Sequence, residues 1–348
     1  MTIDVTPLGA RELDALVALA RRPEVVRYGA HLETDPVQTW VEWLGEADPN
    51  QRLTVTVRRD GGLACAARLT TVTRRRQCHV GTLDLIAPWD GDDDAIDAAL
   101  AALVHAADRW MQLDRLELIA PAGHPRVDGV FAALGLLPEV HKRGSLRRDG
   151  KFVDEVVLGR IAPHAPPRGD VRPPAALPPK GPPAEVTLRP LEDADAEAFT
   201  KMMRDERVIW GTLQLPFQRT AYWAGRLASN DPQRIRSIAA VVDGELAGSI
   251  SLMMHTAARR RHYGGVGMMV APAFQGRRVG SALIDGAIEQ ARRIGLHRIE
   301  LEVFEDNPRA VRLYESRGFV TEGTRARSCY RDGAQVGDRV MAIVGGRA

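Results

Sequence analysis

The sequence predicts a mixed α/β (α+β) protein in which one fold occurs twice, each copy a largely antiparallel sheet flanked by helices. Three observations lead there. A chain of 348 residues fits about two domains of ordinary size. Residues 161–184 hold nine of the 22 prolines, and proline lacks an amide donor and fixes φ. That stretch reads as a semi-rigid linker between a domain at 1–160 and a domain at 185–348. Finally, the two sides match at one offset of 183 residues. Trp40 falls on Trp223, Leu100 on Leu283, Arg115 on Arg298, and Glu117-Leu118 on Glu300-Leu301. Pro125-Arg126 falls on Pro308-Arg309, Gly135 on Gly318, and Asp149-Gly150 on Asp332-Gly333. A single offset over more than 100 positions points to a tandem duplication.

The elements of the second copy follow in order. Residues 186–189 form a short strand, and Asp193 or Asp195 caps a helix reaching Met203. A second helix covers 220–227. Strands at 238–242 and 245–254 meet at Asp243-Gly244, a hairpin signal. Another strand runs from 263 to 271. Residues 281–294 are helical, because Leu283, Ile284, Ala287, Ile288, Ala291 and Ile294 recur at helical spacing. Residues 298–304 alternate as a strand. Pro308 opens a helix at its first turn, where proline is tolerated. Two last strands fit 325–330 and 338–344.

Two segments carry chemistry. Gln275, Gly276, Arg277, Arg278, Val279 and Gly280 lie between a strand end and a helix start. Backbone N–H groups there lack partners, and the helix dipole favours an anion. Downstream, Asn307 stands seven residues before Tyr314, so both project on nearly the same side. Asn307 is either a helix cap or an amide that holds another amide-rich chain. Tyr314 is either a packing residue or a phenol, pKa near 10, that protonates a thiolate.

Together, Gln-x-x-x-x-Gly, a helix, a strand and Asn-x-x-Ala-x-x-Leu-Tyr-x-x-x-Gly-Phe resemble the GNAT superfamily of N-acetyltransferases. The resemblance covers nearly all of 185–345 and is closest to bacterial amino-acid and small-amine acetyltransferases. Residues 211–216, 298–301, Asp332-Gly333, Asp338 and Met341 also fit. One departure is Arg278, where the superfamily often has glycine. The resemblance implies a soluble enzyme that moves acetyl from acetyl-CoA to a primary amine of a small molecule, without metal or acyl-enzyme. It implies that Gln275 to Gly280 cradle the pyrophosphate. The backbone of Met268, Met269 and Val270 would pair with the pantetheine arm, and an N–H near Met269 would face the developing oxyanion. Asn307 would hold the pantetheine and Tyr314 would protonate the departing sulfur. For deprotonating the amine, Glu302 and His262 are the candidates, beside a water chain to bulk. The acceptor cleft would be lined by 212–217, with Trp210 and Trp223 either nearby or plain core.

The first copy lacks these groups. At the same offset Gln275, Gly276, Arg277 and Gly280 fall on Asp92, Asp93, Asp94 and Asp97, which would repel a diphosphate. Asn307 falls on His124 and Tyr314 on Phe131. The expectation is a GNAT-like fold without CoA binding; the acidic loop is also dense enough to consider for a metal.

Bulk properties exclude other classes. Net charge is +2, which argues against a nucleic-acid binder. Residues 1–160 carry 20 Lys+Arg against 24 Asp+Glu, leaving 27 against 21 in the remainder, a basic bias that suits a phosphate ligand or plain solvation. Cys65, Cys78 and Cys329 show no metal-ligand spacing and suggest reduced thiols in the cytoplasm. No signal peptide is expected from the first 16 residues, and no apolar run reaches the ~20 residues of a membrane span. A homodimer is an open option, as is a non-catalytic CoA-binding or scaffolding protein, or an enzyme that acetylates proteins.

Overall fold

A computed structural model describes residues 3–44, 48, 51–91, 93–170 and 181–345. Asp92 of the acidic loop and residues 171–180 of the proline-rich segment lie outside these described residues. The described residues cluster into two compact units: one up to Gly169 with 257–259 and 325–330, and one holding the rest.

The first unit runs β1 (Ile3–Pro7), α1 (Leu13–Ala20), α2 (Pro23–Val26), α3 (Val37–Leu44), β2 (Arg52–Arg59) and β3 (Gly62–Thr71). It continues with β4 (Val80–Ile86), α4 (Asp93–Ala106), β5 (Arg115–Pro121), α5 (Pro125–Asp128), α6 (Val130–Ala133), β6 (Leu137–Arg148) and β7 (Lys151–Ile161). Its strands order as β1-β2-β3-β4-β5-β7-β6. Only β4 and β5 are parallel, as a strand–helix–strand crossover requires. Leu100 and Leu103 of α4 pack on one sheet face with Leu69, Leu83, Leu116 and Phe131. Leu16, Leu19, Val25 and Trp40 form a smaller core.

The second unit runs β8 (Thr187–Pro190), α7 (Ala196–Met203), α8 (Glu206–Ile209), α9 (Thr220–Ala228), β9 (Ile235–Val242) and β10 (Glu245–Met254). Then come β11 (Tyr263–Val270), α10 (Val279–Arg293), β12 (Arg298–Phe304), α11 (Pro308–Glu315), β13 (Val320–Arg331, of which 325–330 count with the first unit) and β14 (Ala334–Val344). The order β8-β9-β10-β11-β12-β14 repeats the order of the first unit, with β13 beside β14. Leu283, Ile284, Ala287 and Ile288 of α10 bury against Ile250, Ile299, Leu301 and Val303. Phe199, Met202, Val208 and Trp223 form the smaller core, so Trp223 is a packing residue.

The ladders repeat as well as the elements. Val80 pairs with Arg115 and Arg115 with Ile161 in the first unit. Tyr263 pairs with Arg298 and Arg298 with Val344 in the second, every position shifted by 183. The β3 irregularity at Ala64 recurs at Ala247 of β10. Each unit also buries one arginine between two glutamates. Arg115, fully buried, meets Glu117 at 2.9 Å and Glu139 at 2.5 Å. Arg298, also fully buried, meets Glu300 and Glu322, both at 2.5 Å. Burial works against the Arg298 charge, but Glu322 and Glu300 offset it and raise the guanidinium above its ordinary value.

Asp195 holds the N-cap position of α7, as expected, and its side chain accepts from the Glu192 N–H at 2.9 Å in a capping box one turn earlier. Other boundaries differ from the sequence expectation. The helix α10 starts at Val279, two residues early, so Gly280 is helical and not part of the loop. The strand β13 starts at Val320, and it turns into β14 through Asp332 (φ 50°) and Gly333 (φ 79°).

Candidate active site

The parallel ladder between β11 and β12 has only three pairs, Tyr263–Arg298, Gly264–Ile299 and Gly265–Glu300. Both strands continue beyond it, to Val270 and Phe304, so a gap opens between them. Which backbone groups face the gap follows from alternation. The Tyr263 carbonyl accepts from His255 and the Ala271 N–H donates to Ala247, so odd residues of β11 bond toward β10. The N–H and C=O groups of Val266, Met268 and Val270 therefore face β12. On the other wall, Glu305 N–H donates to Gly337, so odd residues of β12 bond toward β14 and Glu302 and Phe304 face the gap. The oxyanion donor expected near Met269 thus has a better source. Met269 itself is committed to β10, and its neighbours Met268 and Val270 present N–H groups to the opening.

The loop after β11 ends in the N-terminus of α10. Gly276 (φ 80°) and Arg278 (φ 68°) both have left-handed backbone. Glycine adopts that conformation freely and arginine does not, which explains why a glycine suits position 278. The N–H groups of Val279, Gly280 and Ser281 fall in the first helical turn, where the helix supplies no acceptor. A Cβ added at Gly280 would lie 3.2 Å from Leu313 and 3.6 Å from Met268, so this glycine lets α10 approach β11. Arg278 is exposed at the loop. Arg277 is turned aside: its Nε donates to the Pro182 carbonyl at 3.4 Å, and its own carbonyl accepts from Ala184 at 3.0 Å. The Gln275 side chain braces the loop. Its Nε2 donates to the Val270 carbonyl at 3.0 Å, and its Oε1 accepts from Arg309 at 3.2 Å.

Asn307 caps α11, its Oδ1 accepting from Ala310 N–H at 3.2 Å; its Nδ2 stays uncommitted to the cap and faces Gly211. Tyr314 is almost buried, 5.8 Å from the Phe319 ring, and burial pushes its hydroxyl up to about 12. It is a weaker acid than an unperturbed phenol and stays protonated through the physiological range. Glu302 is exposed at the start of the gap. His262 is not a base for this site. It precedes β11 at the closed end, seven residues from Met269, a separation of about 23 Å along a strand. Its carbonyl is bonded by His297 and Arg298. Within 212–217, Phe217 is 91% exposed and packs against no wall of the gap.

Sequence reasoning missed a polar cluster beside Asn307. Arg331 pairs with Asp306, donates to the Trp210 carbonyl at 3.3 Å and lies 3.8 Å over the Trp210 ring. It also missed the buried arginine triads, although Arg115/Glu117 and Arg298/Glu300 were among the matched positions. Two residues apart on a strand is one face, which was the available signal.

In the first unit β4 and β5 part in the same way, their pairing ending at Leu83–Leu118, but the helix that follows starts earlier. The helix α4 begins at Asp93, the counterpart of Gly276, so three loop residues of the second unit are helical here. Arg126 is ion-paired with Asp93 and donates to the Pro88 carbonyl at 2.8 Å. Asp94 meets Arg59 at 3.3 Å. Among the described residues no group of three or more His, Cys, Asp or Glu is placed to hold a metal ion, and Asp93 and Asp94 pair with arginines. His124 caps α5 as Asn307 caps α11, and Phe131 is fully buried.

Comparison with known proteins agrees with this geometry. The Acetyltransferase (GNAT) family model matches residues 197–319. The L-amino acid N-acetyltransferase AaaT of Escherichia coli (strain K12) is 33% identical over 162 residues, 46% of this chain and 99% of AaaT. The chain belongs to the GNAT family. It is an acetyl-CoA-dependent N-acetyltransferase. This GNAT protein is also 44% identical over 57 residues to the spermidine N(1)-acetyltransferase of Vibrio cholerae, covering 16% of the chain and 33% of that protein. Among solved structures, yncA of Salmonella typhimurium with its cofactor acetyl-CoA is 20% identical, covers 47% of this chain and 97% of its own, and has a TM-score of 0.44. No helix among the described residues is long and apolar enough to cross a membrane.

Proposed function

We propose that residues 185–348 transfer acetyl from acetyl-CoA to a primary amine of a small molecule by direct attack within a ternary complex. One observation carries this reading: the backbone edge of Met268 and Val270 that faces away from β10 leads straight into the positive-φ loop at the start of α10, where Gln275 already holds the Val270 carbonyl. An extended amide-rich chain ending in a diphosphate fits that continuous track. The pantetheine adds as a strand along β11, and the diphosphate meets the N–H groups of Val279, Gly280 and Ser281 at the start of α10.

Acetyl-CoA supplies an activated acyl carbon and a thiolate leaving group. The protein's own groups do the rest. The N–H of Met268 or Val270 donates to the thioester oxygen, where negative charge develops. The attacking amine forms the C–N bond as the C–S bond breaks. Tyr314 gives its proton to the sulfur and is reprotonated from solvent. The amine proton leaves through Glu302 or through water. Asn307 Nδ2 holds the pantetheine while Oδ1 keeps its cap. Binding both substrates side by side provides much of the rate.

The first unit is read as a duplicated copy that does not take up acetyl-CoA. The shared ladder register supports the duplication, and the Asp93–Arg126 pair supports the loss. Amino acids and polyamines head the acceptor panel, since the two relatives are named for them. The test is thiol release from acetyl-CoA over a panel of L-amino acids, polyamines and aminoglycosides. Coenzyme uptake with no turnover on any amine would replace this reading with a non-catalytic CoA-binding protein.

A further inference from the structure

The loop between β11 and α10 is touched by a stretch of chain that lies outside the family match at 197–319. Residues 181–184, the last of the proline-rich segment, cross Arg277 and lead into β8. Two hydrogen bonds hold them there. Arg277 Nε donates to the Pro182 carbonyl at 3.4 Å, and the Ala184 N–H donates to the Arg277 carbonyl at 3.0 Å. A Cβ added at Gly181 would lie 3.3 Å from Cγ and Cδ of Arg277, so this glycine rests on the arginine stem. Farther along, Ala184 and Val186 pack against the core that α10 buries. Leu188 comes so close to α10 that a Cβ at Gly286 would stand 2.8 Å from it. The chain is anchored on both sides of the Ala184 amide.

That amide fixes the direction of the loop's own donors. In a trans peptide the carbonyl and the following N–H point in opposite directions. Holding the Arg277 carbonyl on Ala184 therefore turns the Arg278 N–H away from the linker. This N–H donates to no backbone carbonyl among the described residues. The geometry of α10 tells which side it leaves. Gly286 faces Leu188, whereas Gly280 faces Met268 and Leu313. Six residues apart on a helix, the two glycines stand about 120° apart around the axis. The carbonyl is thus drawn to the β8 side of α10, and the N–H is turned from it. Arg278 gives this arrangement no support of its own, because its φ of 68° is one an arginine adopts reluctantly. The bond from Ala184 supplies the missing restraint.

We propose that Ala184 is a positioning residue for acetyl-CoA: its amide holds the 277–278 peptide so that the Arg278 N–H joins those of Val279, Gly280 and Ser281 on the diphosphate. Arg277 serves the same end through Pro182, as the anchor of the linker and not as a phosphate ligand. The inference rests on the diphosphate site proposed above and gives a role in it to the chain that precedes β8.

The experiment measures dissociation constants of the full chain for CoA and for pantetheine, which ends before the diphosphate. Ala184→Pro deletes the N–H and keeps apolar carbons against the core. Ala184→Gly keeps the N–H and is the control. The wild type should bind CoA well more tightly than pantetheine. Ala184→Pro should weaken CoA about tenfold and leave pantetheine within about twofold, with Ala184→Gly near wild type for both. A general loss of fold impairs both ligands alike, so an effect on CoA alone is what marks a positioning role. In the wild type, CoA and not pantetheine should slow hydrogen exchange of the Ala184 amide, and this measurement decides if the proline variant binds neither ligand. Unchanged CoA affinity in Ala184→Pro overturns the inference. So does an equal loss in Ala184→Gly, or no slowing at Ala184. Equal wild-type affinity for the two ligands overturns the diphosphate site itself, and the inference with it.

Discussion

Replacing Tyr314 by Phe removes one hydroxyl from a nearly buried ring and leaves its volume in place. If that hydroxyl protonates the leaving sulfur, the loss is that of a positioned general acid, about 10²–10⁴ in kcat, or roughly 3–5 kcal/mol of barrier. The KM for acetyl-CoA should stay within about twofold, because the substitution keeps the buried ring and removes only its hydroxyl. Stability gives an independent readout. Burial alone raises the hydroxyl from 10.0 to about 12, with no hydrogen bond from a described residue contributing. A group whose folded value is raised stabilises fully below its unfolded value and loses that contribution as pH climbs through the folded one. The window is therefore pH 10 to 12, and at pH 11 the wild type has lost about 1.4 kcal/mol on this account. The Phe variant lacks the group and keeps that increment. The assays are thiol release at pH 7.5 and urea unfolding at pH 8 and 11. A variant that turns over within about threefold of wild type sinks the proton-donor role, whatever its stability.

Three further outcomes follow from backbone and charge. Arg278→Gly relieves a left-handed arginine and should raise thermal stability by about 1 kcal/mol, while loss of the positive charge raises the KM for acetyl-CoA a few-fold; a lower melting temperature would contradict the strain argument. Arg298→Met strands Glu300 and Glu322 without their partner and should cost about 3–5 kcal/mol in denaturant unfolding. Adding Glu300→Gln and Glu322→Gln to it should recover most of that, and equal destabilisation of both variants would show that charge was not the cause. Gly276→Asp puts a carboxylate among the phosphate-facing N–H groups and should weaken acetyl-CoA binding about tenfold or more in calorimetry, with unchanged affinity placing the diphosphate elsewhere.

Much of this was legible because it depends on short-range pattern. The Asp243-Gly244 turn, the α10 stripe and the loop before it are local signals, and each sits where its residues imply. What failed depends on tertiary contact. Residues 320–331 read VTEGTRARSCYR, with no alternation and a glycine at 323, so β13 is imposed by its neighbour β14 and not by its own period. Gly280 looks like a loop residue because glycine is a poor helix former. It stands inside the helix because Leu313 and Met268 crowd the place of a side chain, which favours glycine there. Glu302 and His262 are both candidate bases on paper, and only the point where the β11–β12 ladder stops tells one end of the strand from the other. The arginine triads close over 24 residues, between Arg298 and Glu322, beyond the reach of any local window.

The two units diverge where a phosphate would sit, and the divergence is first one of backbone. Left-handed turns recur at matched positions: Asp60 and Asp243, Gln112 and Gly295, Gly135 and Gly318, Asp149 and Asp332. Gly276 and Arg278 have no such counterparts, because Asp93 and Ala95 lie inside α4. Three extra helical residues advance the helix start by about 4.5 Å, and the Asp93–Arg126 pair closes over that end. Sequence reasoning pointed to repulsion by the acidic loop; the earlier helix start offers a second, backbone cause. Neutralising the charge should then not be enough. Asp94→Asn/Asp97→Asn leaves the helix start and the Asp93–Arg126 pair in place, so titration of the full chain with CoA should still give one site per chain. A second site appearing in that variant would show that charge alone had closed the first unit.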